Sequence, residues 1–349
     1  MLGFIGYFLI ILLVFGVLIF IHELGHFLTA RACGVTVKEF AIGMGPKLIS
    51  WNSKKHGTKY ALRLLPIGGF VSMENEDGLD EDVDPTDPGA FCNKSVPKRM
   101  LITIAGAAMN LLLGFLIMMV VVFATKNLGS TTIARFADNA TSSEKLMVDD
   151  EILKVGNTRV HTWNELAYEI MNAGYEPVDI TLKRDGEKMV VEDVVFSTFE
   201  DSGATFGQYD FLPYAEEANF LNLAKHSFFR SVSTVKMVLD SVKGLLTGRF
   251  GMDAVSGPVG VVGVVQEVSQ QGFMSFLYII SVLTINLGVF NLIPFPALDG
   301  GRFLFLAIEG VRGKPIDRKI EAYVNFVGII ILFAFMIFVC FKDIMKLIF

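Results

Sequence analysis

The sequence predicts a multi-pass α-helical membrane protein with four transmembrane helices and an inserted extracytoplasmic α+β domain. Three observations carry this. At 52% hydrophobic residues and a mean hydropathy of +0.52, the chain is too apolar for an ordinary soluble protein. Four runs, Met1 to Ile21, Met100 to Thr125, Gly272 to Leu298 and Ala322 to Phe341, carry no charge, and each approaches or exceeds the roughly 20 residues of a crossing helix. The segment 126–271 between the second and third runs is polar and rich in turn signals. The net charge of −6 is spread along the chain rather than gathered into a basic face, which argues against nucleic acid as a partner.

The first run lacks a basic leader and is longer than a signal-peptide core, so it reads as a retained helix. It ends in His22-Glu23-Leu24-Gly25-His26. An ionisable group at membrane depth costs about 3 kcal/mol on insertion scales, so three together point to function. Residues i and i+4 share a helix face, which lets His22 and His26 converge on one metal ion while Glu23 stays about 100° away. Two imidazoles suit Zn²⁺, which in catalytic sites takes three protein ligands and a water, with Glu23 as general base. Gly25 favours close approach of another backbone. Cys33, Cys92 and Cys340 are scattered and form no Cys-x-x-Cys pair, so neither a disulfide framework nor a thiolate metal site is expected.

Spans alternate in direction, so the C-terminal ends of the first and third lie on one face of the membrane. His26 and Asp299 occupy those ends, and Asp299 is the acidic group the third span offers at comparable depth. It could equally cap a helix starting around Gly301, but the paired histidines favour a third metal ligand. Arg31, Lys38, Lys47, Lys94, Lys98, Arg99, Arg302, Arg312, Lys314, Arg318 and Lys319 crowd the loop ends on that side, against mainly Lys126, Lys342 and Lys346 opposite. The positive-inside rule then turns the site toward the cytoplasm and leaves both termini and the 126–271 segment outside.

Within that outer segment, Gly156-Asn157 and Asp185-Gly186 read as hairpin turns between strand-like runs. Thr162 and Glu165 have the spacing of a capping box, opening a helix that Gly174 can end. From Ala218 to Leu246 apolar residues recur at helical spacing among lysines, the pattern of a membrane-surface or packing helix. Glu74 to Asp87 is acidic, but Pro85 and Phe91 spoil a calcium-loop reading and leave a solvated loop.

Taken in order, His22 to His26, Leu65-Pro66-Ile67-Gly68-Gly69-Phe70-Val71, Gly106 to Asn110, Asn286 with Asn291, and Pro294-Phe-Pro296-Ala-Leu-Asp299-Gly300-Gly301 resemble the bacterial site-2 protease family (M50 type) along nearly the whole chain. The resemblance implies an intramembrane zinc metalloprotease of the bacterial cell membrane with a single PDZ domain. Its substrates would be single-pass membrane proteins, such as anti-sigma factors or remnant signal peptides, met within the lipid bilayer. It implies Zn²⁺ on His22, His26 and Asp299, catalysis by Glu23, and substrate binding by Asn286, Asn291, Pro294 and Pro296. Gly68 and Gly69 would lie in a membrane-dipping hairpin whose edge pairs with an extended substrate.

The implied divisions are 1–30, the first transmembrane helix with the metal motif, 31–99, a cytoplasmic loop with the hairpin near 60–72, and 100–125, the second transmembrane helix. A PDZ-like domain follows at 126–200, then a linker with an amphipathic helix at 201–271, the third transmembrane segment at 272–301 and the fourth helix at 322–345. Where the family's PDZ module has a Gly-Leu pair and a Gly-Asp turn, this chain has Lys145-Leu146 and Asp149-Asp150. A docking or size-filtering role for this domain is therefore preferred over capture of peptide C-termini. The competing function is a membrane metal carrier or proton-coupled sensor using the same His, Glu and Asp cluster. Carriers, however, show repeated halves with broken helices in corresponding positions, and these spans share no motif.

Overall fold

The computed structural model describes residues 2–76, 84, 86–201 and 203–348. Much of the acidic loop, with Asp80, Asp82 and Pro85, lies outside the described residues. In chain order the elements are α1 (Leu2–Ala32), β1 (Val37–Asn52), β2 (Lys59–Met73), α2 (Val96–Thr125), β3 (Gly129–Phe136), β4 (Glu151–Val155), β5 (Thr158–Arg159), α3 (Trp163–Ala173), β6 (Val178–Arg184) and β7 (Glu187–Val194). They continue with β8 (Ser197–Asp201), β9 (Ala204–Gln208), β10 (Phe211–Ala215), α4 (Phe220–Leu246), α5 (Pro258–Gln270), α6 (Phe273–Leu292), α7 (Asp299–Arg312) and α8 (Arg318–Ile348). The chain forms two compact units, one of Met1–Gly114 with Ser256–Phe349 and the other of Phe115–Val255.

Among the described residues, four helices are long and apolar enough to cross a membrane: Gly6–Ala32, Val96–Thr125, Phe273–Leu292 and Arg318–Lys346. Phe8, Leu13 and Val17 on α1 and Phe333 and Ile337 on α8 are exposed, as residues solvated by lipid would be. Small residues set the helix contacts. A Cβ on Gly25 would fall 2.4 Å from the Ala105 carbonyl oxygen, so α1 and α2 meet backbone to backbone, and Gly114 and Gly288 let α6 approach α2 in the same way.

Three departures from regular helix follow from sequence. α6 stops at Leu292 before Pro294 and Pro296, and Ala297 takes a left-handed φ of 73° with its N–H on Asn325 Oδ1 of α8. α7 then folds back closely, because a Cβ on Gly300 or Gly301 would lie 2.2 Å from the Ile293 carbonyl oxygen or 2.3 Å from that of Phe295. The Ser256-to-Gly260 stretch leads into α5, and the amides of Gly257 and Gly260 at its start donate to Asp343 Oδ2 at 2.9 and 2.8 Å.

Residues 37–73, expected to contribute a hairpin near 60–72, form a larger sheet. Residues 37–42 pair antiparallel with 69–73, and 47–52 pair antiparallel with 59–63. Pairs Glu39 with Lys59 through Ile42 with Leu62 join the two ladders, both numbers rising together. Residues 69–73 form an outer rung of this sheet.

The second unit holds a sheet in the order β10-β3-β4-β6-β7 with β5 beside β4, and α3 packed on a core of Ile133, Ile152, Leu166, Ile170, Ile180 and Leu182. Gly156 (φ 53°), Asp185 (φ 52°) and Gly186 (φ 88°) supply the left-handed turns of the β4/β5 and β6/β7 hairpins. The sheet extends past residue 200, where a linker is expected from the sequence, since β10 pairs with β3 along its edge. Thr162 is the N-cap and Gly174 the C-cap of α3, as expected, but the capping box is only half made. Glu165 Oε2 accepts the N–H of His161 at 2.8 Å, while the Thr162 side chain caps no helical N–H.

Candidate metal centre

α1 presents His22 and His26 one turn apart, both 8% exposed, with ring centroids 4.8 Å apart. Their Nε2 atoms are 3.2 Å from each other and 3.1 and 3.2 Å from Asp299 Oδ2. The N-cap of α7 is Leu298, so Asp299 is a first-turn residue of that helix, and its carboxylate turns to the histidines instead of capping. The break between α6 and α7, with its glycine-tight return, aims that carboxylate at α1.

The protonation pattern follows from the partners. His26 Nδ1 lies 2.8 Å from the Ile102 carbonyl oxygen, which can only accept, so Nδ1 carries a proton, and the neutral ring, the form that binds metal, then has its lone pair on Nε2. Asp299 Oδ2 is buried without a hydrogen bond. With both rings neutral and their lone pairs on Nε2, three electron-pair donors meet at one point, the arrangement a divalent cation takes. For metal bonds of about 2.0–2.1 Å, tetrahedral ligands stand roughly 3.3 Å apart, close to the observed triangle. Among the described residues this is the group of His, Cys, Asp or Glu side chains that could hold a metal.

Glu23, next to His22, interacts electrostatically with both histidines and Asp299. Its Cγ lies against Gly69, where a Cβ would stand 3.3 Å from it, and Gly68 makes the preceding bend at φ +81°. Of the two expected hairpin glycines, Gly69 thus borders the expected catalytic residue, while Gly68 lies against Met44. Asn286 keeps a buried Oδ1 without a hydrogen-bond partner, and Asn291 Nδ2 donates to Leu287 O at 3.0 Å within its own helix. Pro296 packs against Gly328 of α8. Among the described residues, no hydrogen bond joins Asn286 or Asn291 to the histidine pair.

Spacing alone did not reveal the wall opposite. A Cβ on Gly106 of α2 would lie 2.3 Å from His26 Nε2 and 2.8 Å from His22 Nε2. Ile102, Gly106 and Asn110, at i, i+4 and i+8, line the histidines with a carbonyl, a clearance and an amide.

The model of peptidase family M50 matches residues 10–335. The chain belongs to peptidase family M50. A protein of Clostridium acetobutylicum provisionally named a zinc metalloprotease is 35% identical over 96% of each chain. The regulator of sigma-W protease RasP of Bacillus subtilis is 29% identical over 96% of this chain and 97% of its own. Zinc metalloprotease RasP of Geobacillus kaustophilus is 29% identical over 96% and 97%. This M50 member is a zinc metalloprotease of the site-2 type and a multi-pass membrane protein, and its fold fits membrane-protein substrates met in lipid.

Proposed function

We propose that the protein hydrolyses peptide bonds within the transmembrane segments of single-pass membrane proteins, among them anti-sigma factors and remnant signal peptides, in regulated intramembrane proteolysis. The observation that carries this is the triangle of His22 Nε2, His26 Nε2 and Asp299 Oδ2, built on helices apolar enough to cross a bilayer. The printed name of the Bacillus subtilis relative, a regulator of sigma-W, supports the anti-sigma part.

His22, His26 and Asp299 hold the zinc. When bound, zinc polarises the scissile carbonyl and acidifies water. Glu23 takes the proton of the attacking water on its carboxylate and returns it to the leaving amine. A helical substrate shields its carbonyls, so a segment must unwind and its freed backbone groups need partners. Residues 69–73, on the outer rung beside Glu23, offer strand addition, and the unpartnered Asn286 Oδ1 and the Asn291 carbonyl offer acceptors. Pro294 and Pro296 keep the neighbouring backbone irregular. The basic loop ends support a site open to the cytoplasm, with both termini and the PDZ-like unit outside. Asp149, left-handed at φ 71° where the family has glycine, is held by Tyr214, which supports docking or filtering by that unit over terminal-carboxylate capture.

Glu23→Gln tests the assignment: it should retain zinc and lose cleavage of a co-expressed transmembrane substrate. Wild-type cleavage by that variant would remove Glu23 from the mechanism. Undiminished metal flux in sealed vesicles would favour the carrier reading instead.

A further inference from the structure

Asn110 sits in α2 with no exposure to solvent, two turns beyond the Ile102 carbonyl that fixes His26. Its Nδ2 lies 3.4 Å from His22 Nδ1, while its Oδ1 is buried without a hydrogen-bond partner. Both features are unfavourable for a histidine that must offer Nε2 to a cation. A neutral imidazole with its lone pair on Nε2 carries its proton on Nδ1, so Nδ1 needs an acceptor, and an amide nitrogen cannot accept. An orphaned buried carbonyl oxygen costs about 1–3 kcal/mol. Turning the amide by 180° about its last bond exchanges its oxygen and nitrogen, gives His22 Nδ1 the acceptor it needs, and places Nδ2 where Oδ1 lay without a partner.

We propose that Asn110 is a positioning residue for the metal centre: its Oδ1 accepts the Nδ1 proton of His22, fixing the tautomer and ring orientation that present Nε2 beside His26 and Asp299. It acts on His22 as the Ile102 carbonyl acts on His26, so one face of α2 orients both imidazoles. Partners of this kind typically change metal affinity about 10–100-fold when removed, because they hold the ring and raise its basicity. The inference rests on His22 being a zinc ligand.

The test compares zinc affinity of the full-length protein in detergent, by chelator competition, for wild type, Asn110→Leu, Asn110→Asp and His22→Ala. Leucine keeps the volume and removes the acceptor, whereas aspartate keeps the acceptor. The expected result is a loss of about 10–100-fold in Asn110→Leu and affinity within about threefold of wild type in Asn110→Asp. A purely structural role would weaken both alike, or neither, and either outcome overturns the proposal. If His22→Ala binds zinc as wild type does, the ligand assignment itself fails, a separable result. A second measurement needs no variant at Asn110: in zinc-loaded protein labelled with ¹⁵N-histidine, His22 should show a protonated, hydrogen-bonded Nδ1 and a metal-bound Nε2. Metal on Nδ1 of His22 overturns the proposal even where Asn110→Leu does not fold.

Discussion

Replacing Gly106 with alanine sets two effects of opposite sign against each other. In a helix interior the exchange favours folding by about 1 kcal/mol, since alanine loses less backbone freedom. At the metal centre the added Cβ would stand 2.3 Å from His26 Nε2 and 2.8 Å from His22 Nε2 and Cε1. Unstrained contact between heavy atoms begins near about 3.5 Å, so one ring or the α2 backbone must move by roughly 1 Å. Metal bonds tolerate about 0.2 Å, and a misplacement of about 1 Å costs on the order of 100-fold in rate. Gly106→Ala should therefore lose about 10–100-fold in zinc affinity, as when a ligand's orientation is disturbed, while without metal an overpacking cost of about 1–3 kcal/mol outweighs the helix gain and lowers the melting temperature. Chelator competition measures the affinity and differential scanning fluorimetry the melting. Gly263→Ala in α5 is the control, because its Cβ would meet nothing within 4 Å. Wild-type zinc affinity in Gly106→Ala would refute the close approach of α2 to the histidines.

Two further outcomes concern the second unit. Asp150 is fully buried and accepts from Arg184 Nε and Nη2 at 2.7 Å each and from Met147 N–H at 2.8 Å. Arg184→Ala leaves that carboxylate unpaired and should destabilise the unit by about 3–5 kcal/mol in denaturant unfolding; a change below about 1 kcal/mol would contradict the pairing. His226, buried on α4, is held below its ordinary 6.5 by burial, with Glu216 at 3.2 Å pulling the other way and Lys225 and Arg230 adding to the depression. The folded chain thus keeps the imidazole neutral while the unfolded chain takes a proton near 6.5. Stability from this group is complete above that pH and declines as pH falls through it toward the lower folded value. The melting difference between wild type and His226→Asn should shrink from about pH 8 to about pH 5, and a constant difference would contradict the sign.

How far the sequence announced this site depended on the kind of group involved. The i, i+4 histidines are legible because helical periodicity converts spacing into geometry, and Asp299 because alternating spans put it at the matching depth. The Ile102 carbonyl is illegible, since every residue has one. Gly106 and Asn110 stood in a recognisable motif, but only the crossing of α1 and α2 at Gly25 and Ala105 shows what they touch. The sheet of β1 and β2 was underread because its strands pair twice, with residues 39–42 facing partners on both sides, a long-range arrangement that no single turn encodes. β10 fell outside the expected domain because its partner β3 precedes it by some 75 residues, while Thr162 and Glu165 followed the capping pattern and yet bonded one residue earlier.

In the proposed site, two imidazoles of α1 and the first carboxylate of α7 bind one zinc ion within the membrane. X-ray absorption at the zinc edge of the purified, detergent-solubilised protein, with zinc counted per chain, tests it most directly. One zinc per chain is expected on two histidine nitrogens with oxygen completing the shell, and it should be lost in Asp299→Ala and in His26→Ala. Full zinc occupancy with an unchanged spectrum in either variant would contradict this coordination.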